Sequence, residues 1–227
     1  MLASIDICSK TYILVGMSNT ATKLHSAVHV KRDPDATRQA LLNAAFEEMH
    51  AQGFRSASLD HILAKTGVTK GALYHHFPNK QALGYAVVDE IILPRAIEMW
   101  AVLRDESRNP IDAMVELLDQ HRNMNEPEML RNGCPVNNLV QEMAGIDEGF
   151  RVRLASIQSK WIRVIEDAMQ RGLRTGQVRN DIDPSQVATL LVAGFEGSAS
   201  LAKCAQDNKV FINCMQSMID FVETLRA

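Results

Sequence analysis

From residue 34 onward, apolar side chains return every third or fourth position, the period of helices that bury one face. Leu41, Leu42, Ala45, Phe46 and Met49 form the first stripe, and Gly53 ends it. Ser58 is placed to cap a short second helix carrying Leu59, Ile62 and Leu63. Thr66-Gly67-Val68 reads as a turn, with Gly67 free to take a positive φ. Thr69 then caps a helix reaching His75, and Phe77-Pro78-Asn79 breaks it. Asn79 opens a long apolar helix through Leu83, Val87 and Ile91 to Trp100, with a kink expected at Pro94.

The pattern continues in longer elements. Asn109-Pro110 with Asp112 starts a helix that carries Ile111, Met114, Val115 and Leu118 towards Met124. Asn132-Gly133-Cys134-Pro135 interrupts, and Leu139, Val140 and Met143 mark a shorter helix. Asp147 caps a long helix with Phe150, Leu154, Ile157, Trp161, Ile165 and Met169 on its buried side, closed by Gly172 to Gly176. Asp183-Pro184 with Gln186 starts another, and the last helix carries Phe211, Met215, Met218 and Phe221. No strand pattern or internal repeat follows residue 30. The expectation is an all-α chain of about nine helices. It has an N-terminal three-helix head with a helix-turn-helix over 33–80, and a larger C-terminal bundle over 81–227. Residues 1–32 lack helical periodicity and read as a disordered extension, with Met17 an alternative start. His25 and His29 share a helix-type spacing but have no third ligand nearby, so no metal is expected.

Composition adds limits. The 227 residues are 46% hydrophobic and 22% charged, ordinary values that allow a self-sufficient core. A net charge of −3 argues against a protein that coats nucleic acid everywhere, but leaves room for a local basic patch. Cys8, Cys134, Cys204 and Cys214 are widely spaced and read as reduced thiols of a cytoplasmic protein. No run approaches the roughly 18 apolar residues of a membrane span.

The 58–80 segment carries the chemistry. A short helix with small residues Gly71 and Ala72 suits close approach to a DNA groove. Thr69 and Lys70 at its start can reach phosphate or base edges, Tyr74 offers a ring and a hydroxyl, and His75 follows. Ser58 and Lys80 flank it. Between residues 55 and 80, Arg55, Lys65, Lys70 and Lys80 face a single acid, Asp60, so the patch is positive within an acidic chain.

The run Tyr74-His75-His76-Phe77-Pro78-Asn79-Lys80, preceded by Gly67-Val68-Thr69-Lys70-Gly71, resembles the DNA-binding head of TetR-type transcriptional regulators. The resemblance is specific over residues 35–85 and architectural beyond them. It implies that Ser58, Thr69, Lys70, Tyr74, His75 and Lys80 contact DNA. Two positions depart from the family pattern. Leu63 stands where Ala is usual, and His61 stands where an acid would complete a capping box with Ser58.

The same resemblance implies a homodimer built from the last two long helices, reading a palindromic double-stranded operator, and a small-molecule effector in the body. Leu190, Ala193, Gly194, Gly197, Ser198 and Leu201 offer small and apolar positions for close helix approach. Candidate pocket residues are Trp100, His121, Asn137, Asn138, Glu142, Phe150, Trp161 and Phe195, although the aromatic ones sit at core spacing. Cys134, in a Gly-Cys-Pro turn at a helix start, is similar to the Gly-Cys turn of TetR-type electrophile sensors and is a candidate redox thiol. The chain has no Gly-rich phosphate loop, HExxH or Gly-x-Ser-x-Gly, so neither an enzyme nor a cofactor is expected. A ligand-responsive repressor is the first reading. An activator with the same head, a sensor acting through Cys134 and an interaction module without DNA binding are the alternatives.

Overall fold

The computed structural model describes residues 33–123 and 127–227, and the expectations for residues 1–32 and Met124 lie outside the described residues. Residues 33–227 form one compact, all-helical unit. The head contains α1 (Pro34–Gln52), α2 (Leu59–Thr66) and α3 (Lys70–His76). The caps stand where the polar residues place them. The side chains of Asp33, Ser58, Thr69 and Asn79 each accept a backbone N–H of the following helix, and Gly67 ends α2 at φ 62°.

His61 leaves Ser58 without a capping-box partner on its own helix. Glu48 of α1 does that work from across the head: its Oε1 accepts the Ser58 N–H at 3.1 Å and lies 3.2 Å from His61 Nδ1. Leu63 packs half-buried against the core.

The head runs into the body through α4 (Lys80–Val87), a π turn (Val88–Ile92) and α5 (Leu93–Met99). Pro94 has no N–H to give to the helix ladder. The backbone shifts register just before it, so that the Leu93 N–H reaches Val88, five residues back. The expected kink is thus a π turn, followed by a 3₁₀ turn at Ala101–Arg104. Next come α6 (Pro110–Asn123), α7 (Pro127–Asn132), α8 (Pro135–Met143), α9 (Glu148–Thr175), α10 (Pro184–Ala205) and α11 (Asn208–Glu223). The short α7 lies between the helix expected to end near Met124 and the expected interruption at Asn132-Gly133-Cys134-Pro135, in a stretch given no element from sequence. The described residues contain no strand, only an isolated bridge between Val178 and Arg226.

α9 forms the axis of the body and packs against α10, α8, α6 and α5, while α11 covers α6 and α10. By length and composition α10 is apolar enough to cross a membrane, contrary to the expectation that no segment is. Half of its most apolar window is buried in the protein.

Gly84 of α4 sets how closely head and body approach. A Cβ there would lie 2.5 Å from Phe54 Cε2 and 2.8 Å from Phe150 Cζ, rings whose centroids are 4.6 Å apart. Replacing an unobstructed helical Gly by Ala stabilises by roughly 1 kcal/mol. Here the clash should win, and Gly84→Ala is expected to lower stability by about 1–3 kcal/mol. Urea denaturation of wild type and variant measures the sign directly.

Candidate nucleic-acid interface and effector cavity

α3 is divided cleanly between an inner and an outer face. Leu73 and the C-cap residue Phe77 are buried at 0% and 2% exposure, whereas Thr69, Lys70, Gly71, Tyr74 and His75 face outward. Tyr74 is 42% exposed, so its ring and hydroxyl are available on the outer face. Gly71 has open space around it, so the outer face of α3 is free for close approach. Ser58, half-buried, is occupied as the α2 cap by the His61 N–H at 3.3 Å. Lys80 is also partly committed. Its Nζ donates to the Arg55 carbonyl at 2.9 Å and lies 5.2 Å from the Phe54 ring centroid, which still leaves ammonium hydrogens for an anion.

Carboxylates bind this head to the body. Glu142 of α8 accepts the N–H groups of Phe54 and Arg55 at 2.7 Å each, in the turn after α1. Arg38 of α1 lies over the Phe77 ring at 5.0 Å and pairs bidentately with Glu90 in the π turn. The Arg38 guanidinium holds the Glu90 carboxyl below its ordinary range. The adjacent Asp89 accepts from Arg153 Nε of α9 at 2.8 Å. Asp147 caps α9 and accepts the Tyr85 hydroxyl at 2.6 Å, which lowers the acidity of that hydroxyl. His50 Nε2 lies 2.7 Å from the Gly133 carbonyl.

A cavity of about 570 Å³ opens in the body between α5, α6, α7, α10 and the start of α11. Arg95, Glu98, Gln120, His121 and Asn208 supply its polar groups; Met99, Met129, Leu130, Ala199, Ala202 and Phe211 supply its apolar wall. Of the eight pocket candidates, His121 alone lines it. Its Nδ1 lies 2.8 Å from the Leu117 carbonyl, and its ring stands edge-on to Phe195 at 5.1 Å. Trp100, Trp161 and Phe195 stack behind the wall as core, with Trp161 Nε1 donating to the Ala96 carbonyl at 2.7 Å.

The other four candidates are elsewhere. Phe150 and Glu142 belong to the head–body joint. Asn137 donates to Ser200 Oγ at 2.5 Å, and Asn138 bridges the Asn132 carbonyl and Lys203. Asn137, Asn138 and Glu142, expected as pocket residues because they are polar on an apolar helix, instead hold neighbouring segments together. Arg95 and Glu98 were missed because an exposed charge on a helix looks the same from sequence whether or not a cavity opens beside it.

Residues 41–87 match the family model for bacterial regulatory proteins of the tetR family, and residues 110–218 match that for the tetracyclin repressor-like C-terminal domain. Among curated proteins, the chain is 31% identical to the transcriptional regulator AcuR of Cereibacter sphaeroides over 176 residues, covering 75% of this chain and 78% of that protein. It is 26% identical to the HTH-type transcriptional repressor DhaR of a Mycobacterium species, covering 71% and 79% of the two chains. Among solved structures, the regulatory protein TetR from Rhodobacter sphaeroides superposes with a TM-score of 0.70 at 25% identity, covering 84% of this chain and 99% of that one. The chain belongs to the TetR family of transcriptional regulators. It is therefore a DNA-binding regulator and not an enzyme.

In this TetR-family protein Cys134 does not have the setting of a reactive thiol. It is 6% exposed, and burial first, then the neighbouring Glu196, push its thiol well above the ordinary range. A redox or electrophile sensor needs thiolate at neutral pH, so the structure does not favour that reading. Glu196 of α10 is itself 7% exposed, and neither of its oxygens has a conventional hydrogen-bond partner. The weakly donating thiol of Cys134 faces it, and desolvation raises its carboxyl from 4.5 to about 7.

Two measurements follow from these contacts. Unfolded Glu196 ionises near 4.5 while the folded group stays protonated to about 7. The folded state therefore holds the extra proton across that window, and stability falls as pH rises through it, by roughly 3 kcal/mol in all. Glu196→Gln should flatten this slope and leave the variant more stable than wild type at pH 8, as chemical denaturation across pH would show. Separately, Glu142→Gln weakens the charged acceptor for two amides. Exchange of the Phe54 and Arg55 amide hydrogens should then accelerate by about tenfold, an effect of ~1.4 kcal/mol, measurable by hydrogen–deuterium exchange.

Proposed function

We propose that this regulator is a repressor that binds a palindromic operator as a homodimer and is released by a small molecule entering the α5–α6–α7–α10 cavity. The observation that carries the DNA half is the split of α3: its anchors Leu73 and Phe77 are buried, while Lys70, Gly71, Tyr74 and His75 are presented together on the outside. Such a helix fits a major groove, with Thr69, Lys70 and Tyr74 reaching phosphates and base edges. Lys80 and Ser58 support the same surface. Ser58 holds α2 at its start, and Lys80 fixes the loop after α1 while retaining donors for phosphate.

The dimer reading rests on α10. Leu190 and Leu201 are exposed at 55% and 57%, and Ala193, Gly194 and Gly197 lie between them on the same stripe. Gly197 meets nothing within 4 Å. A small-residue stripe flanked by exposed leucines suits helix-on-helix packing against a second copy, with Met218 and Phe221 of α11 beside it. Two heads so joined would read half-sites about one DNA turn apart, ~34 Å.

The effector reading rests on the cavity's position. Its α5 wall continues through the π turn into α4, and its α7 wall ends at Gly133, which meets His50 of the head. A ligand that favours one arrangement of these walls by a few kcal/mol would move the operator equilibrium by about the same amount.

Lys70→Ala is expected to reduce the slope of log affinity against log salt by about 1, with the melting temperature unchanged. Lys80→Ala should reduce both the slope and the melting temperature, because its ammonium also holds the Arg55 carbonyl. Titrations on a duplex selected from random sequence, at several salt concentrations, check both.

A further inference from the structure

We infer that the cavity takes an amphipathic monocarboxylate, a small molecule with one acidic head and an apolar body, and that Arg95 binds the head. This rests on the reading of the cavity as the effector site. Arg95 is the arginine that lines the cavity; it is exposed at the rim and forms no ion pair among the described residues. Its guanidinium lies 4.7 Å from the centroid of the Phe46 ring. Stacking covers one face of the fork and leaves its N–H edges free, the arrangement that receives a carboxylate through two parallel hydrogen bonds.

The rest of the lining defines the body of the ligand. Met99, Met129, Leu130 and Phe211 surround it with flexible thioether and apolar surface, and a volume near 570 Å³ holds a chain of modest length. Glu98, three residues beyond Arg95 on the same rim, repels a second negative charge. The site therefore selects a monoanion over a dianion.

The position of Arg95 also explains how the head would sense the ligand. Phe46 belongs to α1, and its ring stacks on His50 with centroids 5.6 Å apart. His50 in turn meets the carbonyl of Gly133 at the end of α7, the helix that gives Met129 and Leu130 to the cavity. A carboxylate drawn to Arg95 and an apolar body pressed against α7 act on the same side of α1 from two directions.

The test uses the full-length protein and its two tryptophans. Trp100 lies 5.8 Å from Phe195, which lies 6.1 Å from Phe211 of the cavity wall, so ligand entry should change tryptophan emission. Octanoate, octanamide, octylammonium and octanedioate are titrated at equal ionic strength. Octanoate is expected to bind at least about tenfold more tightly than octanamide, in keeping with one charge-assisted pair, and more tightly than octanedioate. Arg95→Gln should bring octanoate to the level of octanamide, and Arg95→Lys should keep part of the preference. The inference is overturned if octanamide or octylammonium binds as tightly as octanoate, if the preference survives in Arg95→Gln, or if no member of the set alters emission. Octanoate that binds with the expected preference but leaves affinity for the selected duplex unchanged would support Arg95 as the carboxylate receptor and refute the effector reading instead.

Discussion

The orientation of the head on the body rests on carboxylates, Glu142 and Glu90, whose partners lie across the joint around an apolar contact at Gly84. Glu142 reaches from α8 to the amides of Phe54 and Arg55, and Glu90 and Asp89 on one π turn are held by Arg38 of the head and Arg153 of α9. Arg38 also covers Phe77, the residue that ends α3. The outward face of α3 is therefore oriented in part by charges that lie outside the head. Individually such exposed or half-exposed pairs contribute little to stability. Together they fix the angle of the head on the body, which the proposed pairing of two heads on one operator would require.

Packing and polarity divide the work at this joint. Phe54, Gly84 and Phe150 bring the two parts as close as their backbones allow, and any added volume at position 84 has nowhere to go. The polar contacts around this apolar centre then choose one orientation among those the packing would tolerate. The π turn belongs to the same design. Pro94 prevents a regular ladder, and the register shift before it presents Asp89 and Glu90 to opposite partners.

Much of this was legible in the sequence. Ser58, Thr69, Asn79, Asp147 and Asp183 announced their helix starts because short polar side chains that accept backbone N–H groups are a local signal. The pattern from Gly67 to Lys80 showed which face of α3 would be bare. The cavity was not legible, since no local rule says which of several apolar stripes will part. Trp100, Trp161, Phe150 and Phe195 drew attention as large aromatics and became core. Asn137, Asn138 and Glu142 drew attention as polar groups on an apolar helix and became tethers. Glu48 acting as the missing capping partner of Ser58 was equally hidden, because it arrives from ten residues upstream on another helix.

The most direct test of this account is a hydroxyl-radical footprint on a duplex selected by the wild-type protein, repeated with Glu142→Ala, in which every residue of α3 is intact. The wild type should protect two patches about one turn apart, ~34 Å, and the variant should lose or smear that spacing because its heads are no longer held. An unchanged two-patch footprint in the variant would contradict the claim that the joint positions the reading helix.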